Sequence, residues 1–316
     1  QNLLPQLHKE HSFEWSRVKS GLQLMMGGFF KKVFVADVLA ILVDHVYNQP
    51  GQFTGMPLIL ATYAFAIQIY CDFSGYTDIA RGSARVMGFE LMVNFNEPYL
   101  AVSVSDFWKR WHISLSTWFR DYVYIPMGGN RVSRARWYFN LLFVFLLSGF
   151  WHGAKWTFVL WGFVHGIYQV FSNLLVSKRI GFPIKGALVR GIKIFFVFNL
   201  VSFAWIFFRA NTLMDAKHII THLFRFSADF NLLSFLREVR MTGIAIPVIA
   251  ILFWLSRNIF KQLTADFQDA FHHSRTVRIC SYLTVAVVAF QIFFVFMIGL
   301  QDQLQGSAKQ FIYFQF

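Results

Sequence analysis

The stretch SGFWHGAKWTFVLWGFVHG, residues 148–166, holds two near-copies of one pentapeptide, GFWHG and GFVHG. Each sets an imidazole, His152 or His165, inside an otherwise apolar run. An ionisable group at membrane depth marks a site, a relay or a pathway unless a partner holds it. Both histidines lie in G-x-x-x-G frames, Gly149 to Gly153 and Gly162 to Gly166. Small residues at that spacing let helices approach closely in lipid. A histidine between them therefore faces a neighbouring helix or a cavity. On one continuous helix their separation is roughly 1300° of turn and about 20 Å of rise, which forbids a shared centre. If the chain breaks at HGAKW, they stand on different helices. The structural role for His165 is a packing histidine that bonds the next helix. For His152 the flanks Ser148, Trp151 and Lys155 add aromatic walls with few polar groups, the make-up of a binding cavity. Residue types alone leave a chemical and a structural His152 equally open.

A second concentration of chemistry lies at 98–131, PYLAVSVSDFWKRWHISLSTWFRDYVYIPMGGNR. It is too polar to span a bilayer and too aromatic for a free loop. Ser103 followed by Asp106 has capping-box form, with Asp in the usual Glu or Gln place. Pro126 and the pair Gly128–Gly129 end the element. Phe107, Trp111, Leu115, Trp118 and Tyr122 recur at helical spacing as one apolar stripe. Lys109, His112, Ser116 and Arg120 recur at the same spacing on another face. The pattern predicts an amphipathic or re-entrant helix, one face buried and the other carrying an imidazole, a hydroxyl and two cations along about three turns. Interfacial binding, with Lys109 and Arg120 at lipid headgroups, accounts for the same pattern. By spacing, those two cations could also contact phosphate.

The remaining candidates are weaker. HIITH places His218 and His222 at i, i+4, a spacing that can hold a metal, but Ile219 stands where the zincin pattern needs glutamate. The neighbours His272 and His273 diverge on a helix. Cys71 and Cys280 are far apart in apolar surroundings and read as small buried hydrophobes. No metal site is expected.

The elements that must position these residues are membrane helices. The chain is 56% hydrophobic and 14% charged, with 40 phenylalanines, whereas a soluble domain carries about 25% charged residues. The net charge is +13. Its cations fall between apolar runs, where they mark loops at anionic lipid, so nucleic acid is not expected as a partner. Residues 56–71, 137–154, 156–177, 191–208, 242–256 and 279–300 qualify as spans or nearly do. Residues 21–43 carry Lys31, Lys32 and Asp37 and read as an interfacial or broken helix. The basic loop at 178–193 is the best cytoplasmic candidate, although 209–240 and 257–278 are also basic. The chain begins QNLLPQLHKEH, in the style of a loop, which predicts further polypeptide upstream.

SDFWKRWHISLSTWFRDYVYIPMGGNR followed by SGFWHGAKWTFVLWGFVHG resembles the membrane-bound O-acyltransferase (MBOAT) family. It is most similar to the bacterial branch that acetylates alginate and other exported polysaccharides. QIYCDFSGYTDIARGSARVMGFEL, FAWIFFRA and the terminal FIYFQF match that branch too. The resemblance covers essentially all 316 residues. It implies an all-α, polytopic protein of the bacterial inner (cytoplasmic) membrane. Residues 1–316 would form a single domain, the C-terminal part of a longer one, as a ring of tilted helices around a central tunnel. The catalytic histidine of the family's WHG motif falls on His152, and a second family position falls on His112; His165 matches no catalytic motif.

The chemistry implied is transfer of an acyl group, acetyl above all, from a cytoplasmic thioester such as acetyl-CoA to a hydroxyl. An alcohol is a poor nucleophile at neutral pH, and an imidazole with an unperturbed pKa near 6.5 can take its proton as attack proceeds. That role goes to His152. His112 would orient the acceptor or stabilise the oxyanion. Trp111, Ser116, Trp151, Lys109 and Arg120 would line the tunnel or the substrate path. No bound cofactor is expected. The partners would be membrane lipid and either the polysaccharide or an acyl-carrying protein outside the cytoplasm. The competing class is a transporter or channel subunit without acyl transfer, which tends to show broken helices in two repeated halves. The pentapeptide is the only internal echo in this sequence.

Overall fold

The computed structural model describes residues 3–177 and 187–239. Among them every regular element is helical. The expected spans 242–256 and 279–300, His272, His273, Cys280 and the terminal FIYFQF lie outside the described residues, as does most of the basic loop.

After a single turn α1 (Leu4–Leu7), the helix α2 (Trp15–Phe29) runs through a π-helical section, Phe30–Ala36, into α3 (Asp37–Tyr47). Of the two expectations for 21–43, an interfacial or a broken helix, the break is not found: the helical path continues because the charges are paired. Lys31 Nζ lies 2.6 Å from Asp78 Oδ2, and Lys32 Nζ lies 2.7 Å from Asp72 Oδ1 and 2.8 Å from Asp37 Oδ1. Asp72 and Asp78 belong to α4 (Met56–Val86), which extends well past the apolar residues 56–71. Its polar end packs backbone to backbone on α2. A Cβ on Gly28 would sit 2.6 Å from the Gly75 carbonyl, and one on Gly21 would sit 2.7 Å from that of Gly82. Two small-residue contacts seven residues apart thus fix the antiparallel register of α2 against α4.

The helices α7 (Arg134–His152) and α8 (Trp156–Ser177) form an antiparallel hairpin. Gly149 and Gly162 meet at their crossing, where a Cβ on either would collide with the carbonyl of Phe158 or Phe145. Close backbone approach matters here because lipid tails are as apolar as the side chains, so association rests on van der Waals packing and hydrogen bonds. α9 (Ala187–Arg209) packs on α8 and α4, and Tyr63 donates to Asn199 at 2.6 Å. α10 (Leu213–His222) begins with a capping box between Thr212 and Asp215, and α11 (Leu232–Glu238) follows.

Two helices among the described residues, Met56–Val86 and Val189–Arg209, are long and apolar enough to cross a membrane. The hairpin adds exposed Phe139, Phe143, Phe163 and Phe171 on its outer surface, an apolar face that lipid would cover. The core between α3, α4, α8 and α9 includes Tyr47, Phe65, Trp161, Trp205 and His165, all nearly or fully buried.

The expected single helix at 103–125 is instead two short ones, α5 (Val104–Trp108) and α6 (Ile113–Phe119), followed by a π-helical turn, Arg120–Tyr124. Ser103 does cap α5, accepting from Asp106 N at 3.0 Å, while Asp106 reaches back to Val102 N rather than to Ser103. The helix stops because the non-helical segment around Asn94–Asn96 takes its backbone groups. Asn96 N donates to Arg110 O at 2.9 Å, and Ile113 N donates to Asn94 O at 3.0 Å.

Candidate active site

His152 is the last residue of α7, and the chain turns away directly after it. Gly153 stands at φ +154°, ψ 165°, a conformation that is in practice reserved for glycine. The HG pair therefore lets the helix stop with its final imidazole against the neighbouring helices. The His152 ring packs edge-on against Trp161 of α8 at 5.2 Å and Phe208 of α9 at 5.1 Å. No group among the described residues hydrogen-bonds it.

His112 enters from the break between α5 and α6. It adopts the left-handed conformation, φ 44° and ψ 56°, which costs a non-glycine residue about 1–2 kcal/mol. Its ring is buried and meets Phe73 of α4 edge-on at 4.7 Å. The Asn94 carboxamide oxygen accepts from both Ser114 N at 3.0 Å and Ser114 Oγ at 2.7 Å. With its proton committed there, Ser114 Oγ accepts from His112 Nδ1 at 3.3 Å. This network assigns the ring proton to Nδ1 and leaves Nε2 as a lone-pair acceptor. Nε2 is buried without a hydrogen-bond partner among the described residues. His112 lies outside the long helices, and burial pushes its imidazole down to about 4, so it is neutral at physiological pH.

His112 and His152 line one cavity of about 220 Å³. α4 supplies Ile69, Asp72 and Phe73 to its wall; the hairpin supplies Ser148, Trp151 and Trp161; α9 supplies Trp205 and Phe208. Trp108, Trp111 and Leu115 complete it from the segment around His112. The wall is mainly aromatic. Its one carboxylate among the described residues, Asp72, is paired with Lys32. Ser148 lies one turn before His152, and the buried Trp161 Nε1 has no hydrogen-bond partner among the described residues.

Of the residues singled out from sequence, His152, His112, Trp111 and Trp151 come together here. Lys109, Ser116 and Arg120 do not, because the break at 109–112 rotates them away from His112. Lys109 is exposed, Ser116 Oγ donates to Trp111 O at 3.2 Å, and the exposed Arg120 makes a forked pair with Asp121. The stripe divides as well, with Phe107 and Trp111 buried and Trp118 and Tyr122 exposed. His165 is fully buried behind the cavity wall and accepts from Trp108 Nε1 at 3.3 Å. His218 and His222 stack at 4.1 Å, and among the described residues no group of three potential ligands could hold a metal. Sequence reading missed Asp72 and Phe73 in the wall. An acid directly after the apolar run 56–71 was the available signal, since such a residue is functional by default.

The family described as MBOAT, membrane-bound O-acyltransferase, matches residues 4–214. The probable alginate O-acetylase AlgI of Azotobacter vinelandii is 40% identical over 242 residues, 77% of this chain and 46% of that protein. A peptidoglycan O-acetyltransferase of Helicobacter pylori is 37% identical, over 69% of this chain and 41% of its own length. A teichoic acid D-alanyltransferase of Bacillus subtilis is 31% identical, over 49% and 41%. The chain spans less than half the length of these relatives.

Proposed function

The chain belongs to the membrane-bound O-acyltransferase family, and from that premise we propose that it transfers an acetyl-sized acyl group from a thioester to a hydroxyl of an exported polysaccharide. The observation that carries this reading is the meeting of His112 and His152, forty residues apart in sequence, in one aromatic cavity. His152 acts as general base. It removes the proton of the attacking hydroxyl as the oxygen adds to the thioester carbonyl, and the tetrahedral intermediate then collapses with loss of thiolate, which takes the proton back. The carbonyl end of α7 favours the positive charge that develops on the ring between these steps. His112 orients the acceptor. Its Nε2 lone pair can accept a hydroxyl hydrogen bond, whereas a ring protonated at Nδ1 has no proton at Nε2 to offer an oxyanion. The Ser148 hydroxyl and the Trp161 indole N–H are the donors available for that charge.

A cavity of about 220 Å³ suits a short acyl group and the end of a thioester arm, being smaller than the roughly 300 Å³ of the smallest drug-sized pockets. The relatives' acceptors, alginate, peptidoglycan and teichoic acid, support a polysaccharide or cell-wall polymer as the acceptor class. The donor is acetyl-CoA or another cytoplasmic thioester, and the acceptor is the polymer or a carrier protein outside the cytoplasm. The setting is a multi-pass inner-membrane protein with its helices ringed around a tunnel.

The test is polysaccharide acetyl content with His152→Ala and His112→Ala at matched membrane levels. His152→Ala is expected to lower transfer by about 10²–10⁴-fold, and His112→Ala by a smaller factor. Unchanged acetylation with His152→Ala refutes the reading.

A further inference from the structure

The second histidine of the repeated pentapeptide takes no part in that mechanism. His165 is fully buried, does not line the cavity, and is enclosed by Phe107, Phe145 and Tyr168. Its Nδ1 is occupied by the Trp108 indole N–H at 3.3 Å. The ring proton then sits on Nε2, which is buried without a hydrogen-bond partner among the described residues. An unsatisfied buried N–H costs about 1–3 kcal/mol. A leucine or phenylalanine would fill this apolar place without that cost, so packing alone does not explain an imidazole.

One helical turn later on α8, Gln169 Oε1 accepts from Ser105 Oγ at 2.5 Å. Ser105 and Trp108 are three apart on α5, and His165 and Gln169 are four apart on α8, so each pair shares one helix face. Two parallel hydrogen bonds therefore latch α5 to α8. α5 has only five residues, too few to hold a helical conformation unaided. It is followed after three residues by the reversal at His112. Trp108 itself lines the cavity, and Trp161 packs against His165 at 5.1 Å and His152 at 5.2 Å.

We propose that His165 and Gln169 are positioning residues for acyl transfer: their latch on Ser105 and Trp108 fixes α5, and through it the place of His112 in the cavity that His152 shares. The proposal rests on the acyl-transfer reading above. Displacing a positioned group by about 1 Å can cost on the order of 10²-fold in rate. The latch should therefore govern turnover rather than donor binding.

The experiment measures kcat and KM for a short acyl thioester with the protein in membrane vesicles, alongside thermal stability. His165→Leu is expected to lower kcat about 10- to 100-fold with KM changed less than about twofold. His165→Asn, whose Oδ1 can occupy the place of Nδ1, is expected to restore kcat to within a few-fold of wild type. Adding Ser105→Ala to Gln169→Leu is expected to cause little further loss, because both remove one bond and neither residue lines the cavity. Wild-type kcat in His165→Leu, equal defects in His165→Asn and His165→Leu, or losses that simply follow thermal stability would each overturn the latch. His152→Ala in the same assay separates the two levels. If it is inactive while His165→Leu turns over normally, only the latch falls; if it is fully active, the reading of the cavity falls and the latch with it.

Discussion

Lys32→Met tests the charged support behind the cavity wall. The ammonium is buried, 2.7 Å from Asp72 Oδ1 and 2.8 Å from Asp37 Oδ1. At an effective dielectric near 20, each contact represents about 6 kcal/mol of Coulomb attraction before desolvation is charged against it. Desolvation removes much of that gain, so the better guide is the cost of deleting one member of a buried pair, about 3–5 kcal/mol. Methionine keeps the length and apolar stem of lysine and deletes only the charge. It leaves two carboxylates facing each other, and the one on Asp72 stands in the wall that His112 and His152 share. We expect unfolding in detergent, followed by tryptophan fluorescence, to show a loss of about 3–5 kcal/mol, with acyl transfer falling alongside. The triple variant Lys32→Met/Asp37→Asn/Asp72→Asn removes all three charges at nearly constant volume and should recover most of the stability. A Lys32→Met protein within about 1 kcal/mol of wild type, or a triple variant no better than the single one, would refute the claim that these contacts act as a buried ion cluster.

Two other outcomes follow from close packing and from burial. Gly149→Val places side-chain carbons against the Phe158 carbonyl at the hairpin crossing; the expected loss is about 1–3 kcal/mol, measured by thermal unfolding, and Gly27→Val, where the space is open, is the control. His112 is neutral when folded, with its imidazole held near 4, and titrates near 6.5 when unfolded. The stability it contributes is present above about pH 6.5 and is lost progressively as pH falls toward 4. Equilibrium unfolding across that range should show the slope, and His112→Gln should make it shallower, the other buried histidines supplying the remainder.

The sequence carried the functional reading a long way. Glycine after His152, small residues at four-residue spacing and apolar runs of span length are local features, and they act locally: Gly153 ends α7, and Gly149 and Gly162 set a close crossing. The choice of His152 over His165 came from motif resemblance, since both histidines meet the same physical test for an ionisable group in an apolar run. Periodicity failed at 98–131 because it records which residues could share a face if the helix were continuous. Continuity there is decided by Asn94 and Asn96, which lie outside the periodic stretch and take the backbone groups of Arg110 and Ile113. Lys109, Ser116 and Arg120 left the site for that reason. Lys31, Lys32 and Asp37 read as an interfacial or broken helix because the lysines' partners Asp78 and Asp72 lie on another helix, beyond the reach of any local window.

What the sequence determined by itself is the apolar helical character of the described segments and the close glycine crossing of the hairpin; the pairing of His112 with His152 came from resemblance to the family. What only the tertiary structure decided is which charges neutralise each other, where the polar helix breaks, and that His165 stands behind the wall. Each of those depends on a partner distant in sequence, and a buried polar group takes its role from the partner that removes its desolvation cost.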